Sequence, residues 1–350
     1  MDVSRIKVSG LKCFSGPREV DLDLARPDGT AAGWTVLAGP NGSGKSTLLQ
    51  AVALALGAHP AVPVERWLAV GSPAGSVELN GGAAWRIVGA AGAAPRAERT
   101  GPPSARHRWF GPVARPAPAG IQGAAAALVE DGLLPDGWRL AATGPDGPWV
   151  ERAGLALPLA ELGDGVARLV TLVAELSAIT RRTRPEYVDG RPTLPVRATV
   201  LIDDVDAHLH PAWQQRVGGW LTAHFPQVQF IVATHSPYVC QAADPGALIR
   251  LAGPEEEPAP PRLLGEDLHQ RILYGSGDDT ALSELFGLAS AYSANAEAER
   301  RLLVRLERKL YAGDASAAEL AEYRELGAKL NSSLTARADE ATARLLGRDR

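Results

Sequence analysis

The sequence predicts an α/β protein with a parallel central sheet, an antiparallel β subdomain and a C-terminal helical appendage. Three observations predict it. Short apolar runs within 197–203 and 229–233 have the pattern of strands buried on both faces. Between them Pro211 opens a helix reaching about Phe225, with no hairpin signal, so the two strands are expected to run parallel. Earlier, Asn80-Gly81-Gly82 interrupts an alternating stretch over 64–90, the mark of an antiparallel hairpin.

Taken in order, residues 3–8 and 18–24 alternate like half-buried strands, turned at Gly16-Pro17. An apolar run at 34–38 leads through a glycine-rich turn into an apolar helix over 45–56, which Gly57 stops. The 91–120 stretch is rich in Ala, Pro, Gly and Arg and reads as an irregular inserted loop. A helix near 121–131 and two short strands near 138–151 precede Leu162-Gly163-Asp164-Gly165, and from there an apolar helix runs to about Thr180. After a proline-rich break at 254–261 the chain becomes helical and charged from about Ala294 to Leu346. Leu302, Leu303, Leu306 and Leu310, then Leu320, Tyr323, Leu326 and Leu330, give that region two amphipathic helices. The expected domains are therefore 1–255, carrying the 91–120 insertion, and 262–350.

A hydrophobic fraction of 45% with 22% charged residues is that of a folded globular chain. The net charge of -4 argues against a protein that coats nucleic acid, although Arg96, Arg99, Arg106, Arg108 and Arg115 make one local basic stretch. Cys13 and Cys240 lie far apart, which excludes a disulfide framework and a cysteine zinc site. No run approaches the ~18 apolar residues of a membrane span, and the first residues lack a signal-peptide layout. The expectation is a cytoplasmic protein with no membrane partner.

Residues 39–46, Gly-Pro-Asn-Gly-Ser-Gly-Lys-Ser, followed by Thr47, match the phosphate-loop pattern GxxxxGK[ST]. Lysine occurs five times in this arginine-rich chain, so Lys45 inside a glycine-rich turn demands a reason. Gly39, Asn41, Gly42, Ser43 and Gly44 let successive backbone N–H groups turn inward around a phosphate. Lys45 supplies a point charge to the terminal phosphates, Ser46 a hydroxyl to Mg²⁺, and the helix beginning here presents its positive end to the same anion. The ligand implied is ATP with Mg²⁺.

Val200-Leu201-Ile202-Asp203-Asp204 places two acids at the carboxyl end of a buried strand. Asp203 suits Mg²⁺, and Asp204 suits polarising an attacking water. Asp206-Ala207-His208-Leu209-His210 follows, its histidines read as capping the turn into the Pro211 helix rather than as metal ligands. His235, just beyond the neighbouring strand, stands where an imidazole can donate to a terminal phosphate.

In this order the phosphate loop, Leu162-Gly163-Asp164-Gly165, the double-acid strand and Thr234-His235-Ser236-Pro237 resemble the ABC-type ATPase heads of the RecF, SMC and OLD group. They are most similar to the short ATPases of Septu-type and retron-associated anti-phage systems. The resemblance implies a P-loop NTPase head that dimerises around ATP, with Gly163, Asp164 and Gly165 meeting the partner subunit's γ-phosphate and Asp206 at the subunit interface. It implies an HNH-type nuclease or another effector as partner. The family has serine where Gly163 stands and glutamate where Asp204 stands, so slow hydrolysis is expected. Two alternatives stay open: a RecF-like repair ATPase acting on DNA, and an ATP-sensing module without turnover.

Overall fold

A computed structural model describes residues 2–25, 31, 33–58, 63–90, 93–101, 104, 107–111, 120–144, 147–180 and 184–330. It divides into two compact units, Met1–Phe286 and Gly287–Arg350. The division falls later than the break expected at 255–262, because two further helices belong to the first unit.

The first unit opens with β1 (Arg5–Ser9), β2 (Val20–Asp23), β3 (Gly33–Ala38) and α1 (Lys45–Leu56). Four strands follow: β4 (Ala74–Leu79), β5 (Ala83–Ala90), β6 (Ala93–Thr100) and β7 (His107–Phe110). Next come α2 (Ala124–Glu130), then β8 (Arg139–Gly144), β9 (Gly147–Arg152) and β10 (Leu155–Pro158). The chain continues through α3 (Asp164–Thr180), β11 (Glu186–Val188), β12 (Arg191–Thr193) and β13 (Ala198–Ile202). The last elements are α4 (Pro211–His224), β14 (Val228–Thr234), α5 (Pro237–Cys240), β15 (Leu248–Arg250), β16 (Arg262–Leu263), α6 (Glu266–Tyr274) and α7 (Gly277–Leu282).

The central sheet has the order β16-β15-β3-β14-β13-β7. Every neighbouring pair in it is parallel except β15 with β16. Its strands are apolar on both faces for a reason visible in the alternation. Val36, Val200, Ile202, Phe230 and Val232 face one core, shared with α2, α3 and α4. Leu37, Leu201, Ile231 and Ala233 face the other, shared with α1 and the antiparallel sheet β2-β1-β4-β5-β6. Helix α1 is sandwiched between the two sheets, which is why its 48–56 stretch is apolar almost all round. Each such side chain taken from water contributes roughly 1.5–3 kcal/mol.

The described residues of the 91–120 insertion are not the irregular loop expected. Residues 93–100 form β6, paired with β5, and 107–110 form β7, parallel to β13 at the edge of the central sheet. The Arg- and Pro-rich composition hides these strands: of their described side chains only Trp109 and Phe110 of β7 reach the two cores, and it is pairing with β5 and β13 that makes 93–100 and 107–110 strands. Arg106 and Arg115 lie outside the described residues. At the start of the 64–90 stretch, residues 64–67 form a 3₁₀ turn rather than a strand. Several short elements went unread: β10, the β11–β12 hairpin turned at Asp189-Gly190 (two residues with positive φ), and α5, β15, β16, α6 and α7.

The second unit holds α8 (Ala294–Ala312) and α9 (Ala317–Leu330), separated by Gly313 at φ 78°. Leu303 and Leu306 are buried, and Lys309–Glu319 at 2.6 Å and Lys329–Glu299 at 2.5 Å tie the helices together. The helical expectation beyond Leu330 lies outside the described residues. Among the described residues, no helix is long and apolar enough to cross a membrane.

Candidate functional site

Strands β3, β13 and β14 are neighbours, so the three segments singled out in the sequence emerge side by side at their carboxyl ends. That edge of a parallel sheet is where open α/β folds bind ligands. The 39–44 loop climbs from β3 with Gly39, Gly42 and Gly44 at φ 153°, 77° and 100°, all in the region that favours glycine. The loop is tightly seated. A Cβ on Gly39 would stand 2.4 Å from the Leu251 carbonyl oxygen, and one on Gly44 2.6 Å from Cys13 Sγ. Asn41 and Gly42 form the exposed tip, and Thr47 lies half-buried in the first turn of α1.

Lys45 is buried, and its Nζ donates to the carbonyl oxygens of Gly39 at 2.8 Å and Pro40 at 3.0 Å. Burial pulls its pKa down to about 8, against the opposing pull of Asp204, Asp203 and Asp206. Ser46 Oγ donates to Asp203 Oδ1 at 2.9 Å, joining the first turn of α1 to the end of β13. Asp203 is buried, and burial pushes its pKa up to about 6 although the Ser46 hydrogen bond works the other way. These residues fit Mg²⁺. Two adjacent hard oxygen donors, one of them a buried carboxylate reluctant to ionise unaided, are what a divalent cation compensates. Among the described residues no group of three or more His, Cys, Asp or Glu forms a metal set of another kind.

Asp204 is half-exposed beside them and adopts a left-handed backbone, φ 49°. Asp206 accepts hydrogen bonds from the Thr234 hydroxyl and, at 3.3 Å, from the His235 backbone N–H. Within the chain, therefore, Asp206 anchors the end of β14 and the backbone that carries His235. The His235 imidazole is held below its ordinary pKa by burial and by the Lys45 charge, which favours its neutral form. Ser236 caps α5 and bonds Gln214 Oε1 at 2.7 Å, bracing the same turn against α4. His210 accepts from the Ala212 N–H at 3.2 Å and so caps α4.

Gly163, at φ 131°, and Asp164 are exposed where α3 begins. Gly165 is buried, and a Cβ there would stand 2.4 Å from the His208 carbonyl oxygen. The start of α3 thus abuts the turn that follows the two acids. Among the described residues, Gly163, Asp164 and Gly165 make no hydrogen bond to the phosphate loop of their own chain.

Two residues escaped the sequence reading. Arg18 reaches from the end of the β1–β2 connection to the carbonyls of Ala252 at 2.5 Å, Ser43 at 3.2 Å and Gly253 at 3.2 Å, strapping the phosphate loop to the segment after β15. Arg168, on α3, donates to the carbonyls of Gly111, Asp203 and Asp204 at 3.0, 3.2 and 3.3 Å. A lone guanidinium on the apolar first turns of α3 was the available signal for it. Lys12 lies 4.1 Å over the Trp67 ring.

Comparison with solved structures settles the architecture. An Smc head bound to the C-winged helix domain of ScpA superposes with a TM-score of 0.54 at 15% identity, over 77% of this chain and 100% of that one. An Smc head with an extended coiled coil, bound to the C-terminal domain of ScpA derived from Pyrococcus furiosus, gives 0.50 at 14%, over 78% and 98%. The fold is that of an SMC head. Two family models match the head: "AAA domain" over residues 5–66, and "AAA domain, putative AbiEii toxin, Type IV TA system" over 120–241. Its curated relatives include the Retron Ec83 probable ATPase of Escherichia coli, 33% identical over 33% of this chain and 21% of that protein. The Retron Vc95 probable ATPase of Vibrio cholerae is 45% identical over 20% of this chain and 13% of that one. The Septu protein PtuA of Bacillus mycoides is 32% identical over 29% and 13%. The matched stretches span about a fifth of the relatives' length or less.

Proposed function

We propose that this chain binds and slowly hydrolyses ATP, closes around it as a dimer, and thereby regulates an effector, a nuclease, in anti-phage defence. The observation that carries the reading is the Ser46–Asp203 hydrogen bond beside buried Lys45, which unites the two sequence motifs in one site. In this reading Gly39, Asn41, Gly42, Ser43, Gly44 and Thr47 surround the phosphates with backbone N–H groups, and Lys45 neutralises the terminal charge. Ser46 and Asp203 hold Mg²⁺, whose charge offsets that of the phosphate oxygens. Asp204 orients the attacking water and His235 donates to the terminal phosphate. Gly163, Asp164 and Gly165 offer the exposed N-terminal end of α3 to the partner subunit's nucleotide, and Asp206 keeps the His235 turn in place at that seam.

Purified protein should release phosphate from ATP, Lys45→Ala should abolish release, and Asp204→Asn should accumulate as an ATP-dependent dimer by light scattering. A nuclease encoded beside it should co-purify. Monomers at saturating Mg-ATP in both proteins would remove the dimer from the reading. Asp204 is one methylene shorter than glutamate, which favours a second reading as an ATP sensor without turnover. ATP binding and dimerisation with no phosphate release would select it. The exposed Arg96 and Arg99 on β6 are the feature a DNA-acting head would use, and stimulation of turnover by DNA would reveal that role.

A further inference from the structure

We propose that Arg168 is the positioning residue for Asp204, holding it in the conformation that hydrolysis needs. The inference rests on the ATPase reading of Asp204 above and adds to it a residue outside every sequence motif. Arg168 lies one helical turn beyond Asp164 on α3, and its guanidinium donates to three backbone carbonyls at the ends of two neighbouring strands: Gly111 after β7, and Asp203 and Asp204 after β13. One planar fork therefore fixes the spacing of both strand ends and the direction of the peptide groups that flank the second acid.

The backbone at Asp204 needs such a brace. Its left-handed φ of 49° is a strained conformation for a residue that carries a Cβ. Flipping the peptide between Asp204 and Val205 turns the Asp204 carbonyl away from Arg168 and breaks that hydrogen bond. Because φ and ψ set where Cβ points, the same bonds set the direction of a carboxylate with little reach to spare. Burial lowers the pKa of the guanidinium, and the negative charges of Asp204, Asp203 and Asp206 oppose that shift; a guanidinium stays charged beside the acids it aligns. Arg168 holds Asp203 by its backbone carbonyl only, Ser46 still holds the Asp203 carboxylate, and among the described residues Arg168 has no hydrogen bond to the 39–46 loop, so its loss should leave nucleotide affinity nearly unchanged. A lysine presents a single ammonium in place of the fork and should serve only partly.

The test compares Arg168→Ala, Arg168→Lys, Asp204→Ala and the double variant Arg168→Ala/Asp204→Ala in the full chain, using Mg-ATP titration and steady-state phosphate release. The expected result is a Kd for Mg-ATP within about twofold of the parent in every variant. In Arg168→Ala, kcat should fall about tenfold to a hundredfold, the scale of a misplacement near 1 Å, and Arg168→Lys should recover part of the loss. The double variant should be no slower than Asp204→Ala alone. An unchanged kcat, losses that multiply in the double variant, or Kd and kcat deteriorating together would each overturn the proposal. If Arg168→Ala does not fold, Arg168→Lys decides: reduced kcat at unchanged Kd supports the role, and parental kcat overturns it. A parent protein that neither binds nor hydrolyses ATP refutes the ATPase reading itself and is recognised before any variant is compared.

Discussion

Moving the pH away from neutrality in either direction should weaken Mg-ATP binding, through two different residues. Burial holds Lys45 near a pKa of about 8 and Asp203 near about 6. On the proposed reading the phosphates require the Lys45 ammonium, and Mg²⁺ requires the Asp203 carboxylate. For Lys45 the depressed value means the competent cation is complete below about pH 8 and lost above it. At about pH 9 roughly a tenth remains, so the apparent affinity should fall about tenfold, or ~1.4 kcal/mol. For Asp203 the raised value means the carboxylate is complete well above about pH 6 and down to roughly a tenth at about pH 5, a second loss of about tenfold. Affinity should therefore peak near pH 7. The assay is calorimetric titration with ATP at saturating Mg²⁺ in buffers spanning about pH 5 to 9. Affinity constant within about twofold across that range would refute the reasoning, because both ionisations would then be irrelevant to binding. The same Asp203 shift carries a stability consequence of fixed sign. Between about pH 4 and 6 the folded protein retains a proton the unfolded chain releases, so the unliganded protein should lose stability as pH rises through that window.

Gly39→Ala should cost at least about tenfold in Mg-ATP affinity by calorimetry, since its Cβ meets the Leu251 carbonyl oxygen at 2.4 Å and φ is 153°. Gly165→Ala drives α3 away from His208, and phosphate-release assays should show turnover lost while nucleotide affinity is retained. Gln229→Ala should destabilise the protein by about 1–3 kcal/mol in thermal or denaturant unfolding. Its amide accepts from the Val3 N–H at 2.8 Å and donates to the Val3 carbonyl at 2.7 Å, a buried link between the N-terminus and β14 that alanine leaves unpaired.

The parts of the fold legible in the sequence are those whose signals are local. Helix α1 is bracketed by Gly44 and Gly57, both with φ values that glycine supplies, so the expected 45–56 agrees with the observed Lys45–Leu56. Strands β13 and β14 are buried on both faces and spell that burial out in aliphatic residues. Strand β7, written His-Arg-Trp-Phe, becomes a strand because β13 offers it a hydrogen-bonding edge, a condition no window of sequence contains. The β11–β12 turn did carry a local signal, Asp189-Gly190, but its strands are three residues each and too short for an alternation to stand out.

The site divides in the same way. Lys45, Ser46 and Asp203 could be named in advance because a phosphate loop and an acid-ended strand are patterns of neighbours along the chain. Arg18 carried no such pattern and Arg168 only that of a lone charge on an apolar helix, because both act on backbone carbonyls far away in sequence, and a carbonyl has no letter in the sequence. Asp206 lay between these cases. It was visible as an acid after β13, while its bonds to Thr234 and His235 appear only once β14 is set beside β13.

The central claim is that Lys45, Ser46 and Asp203 together form a seat for a magnesium-bound triphosphate. Calorimetric titration of ATP into the purified chain, with Mg²⁺ and with chelator, tests it most directly. Saturable binding of one nucleotide per chain that weakens without Mg²⁺ and vanishes in Lys45→Ala is the predicted result. No binding, or binding indifferent to both magnesium and Lys45, would contradict it.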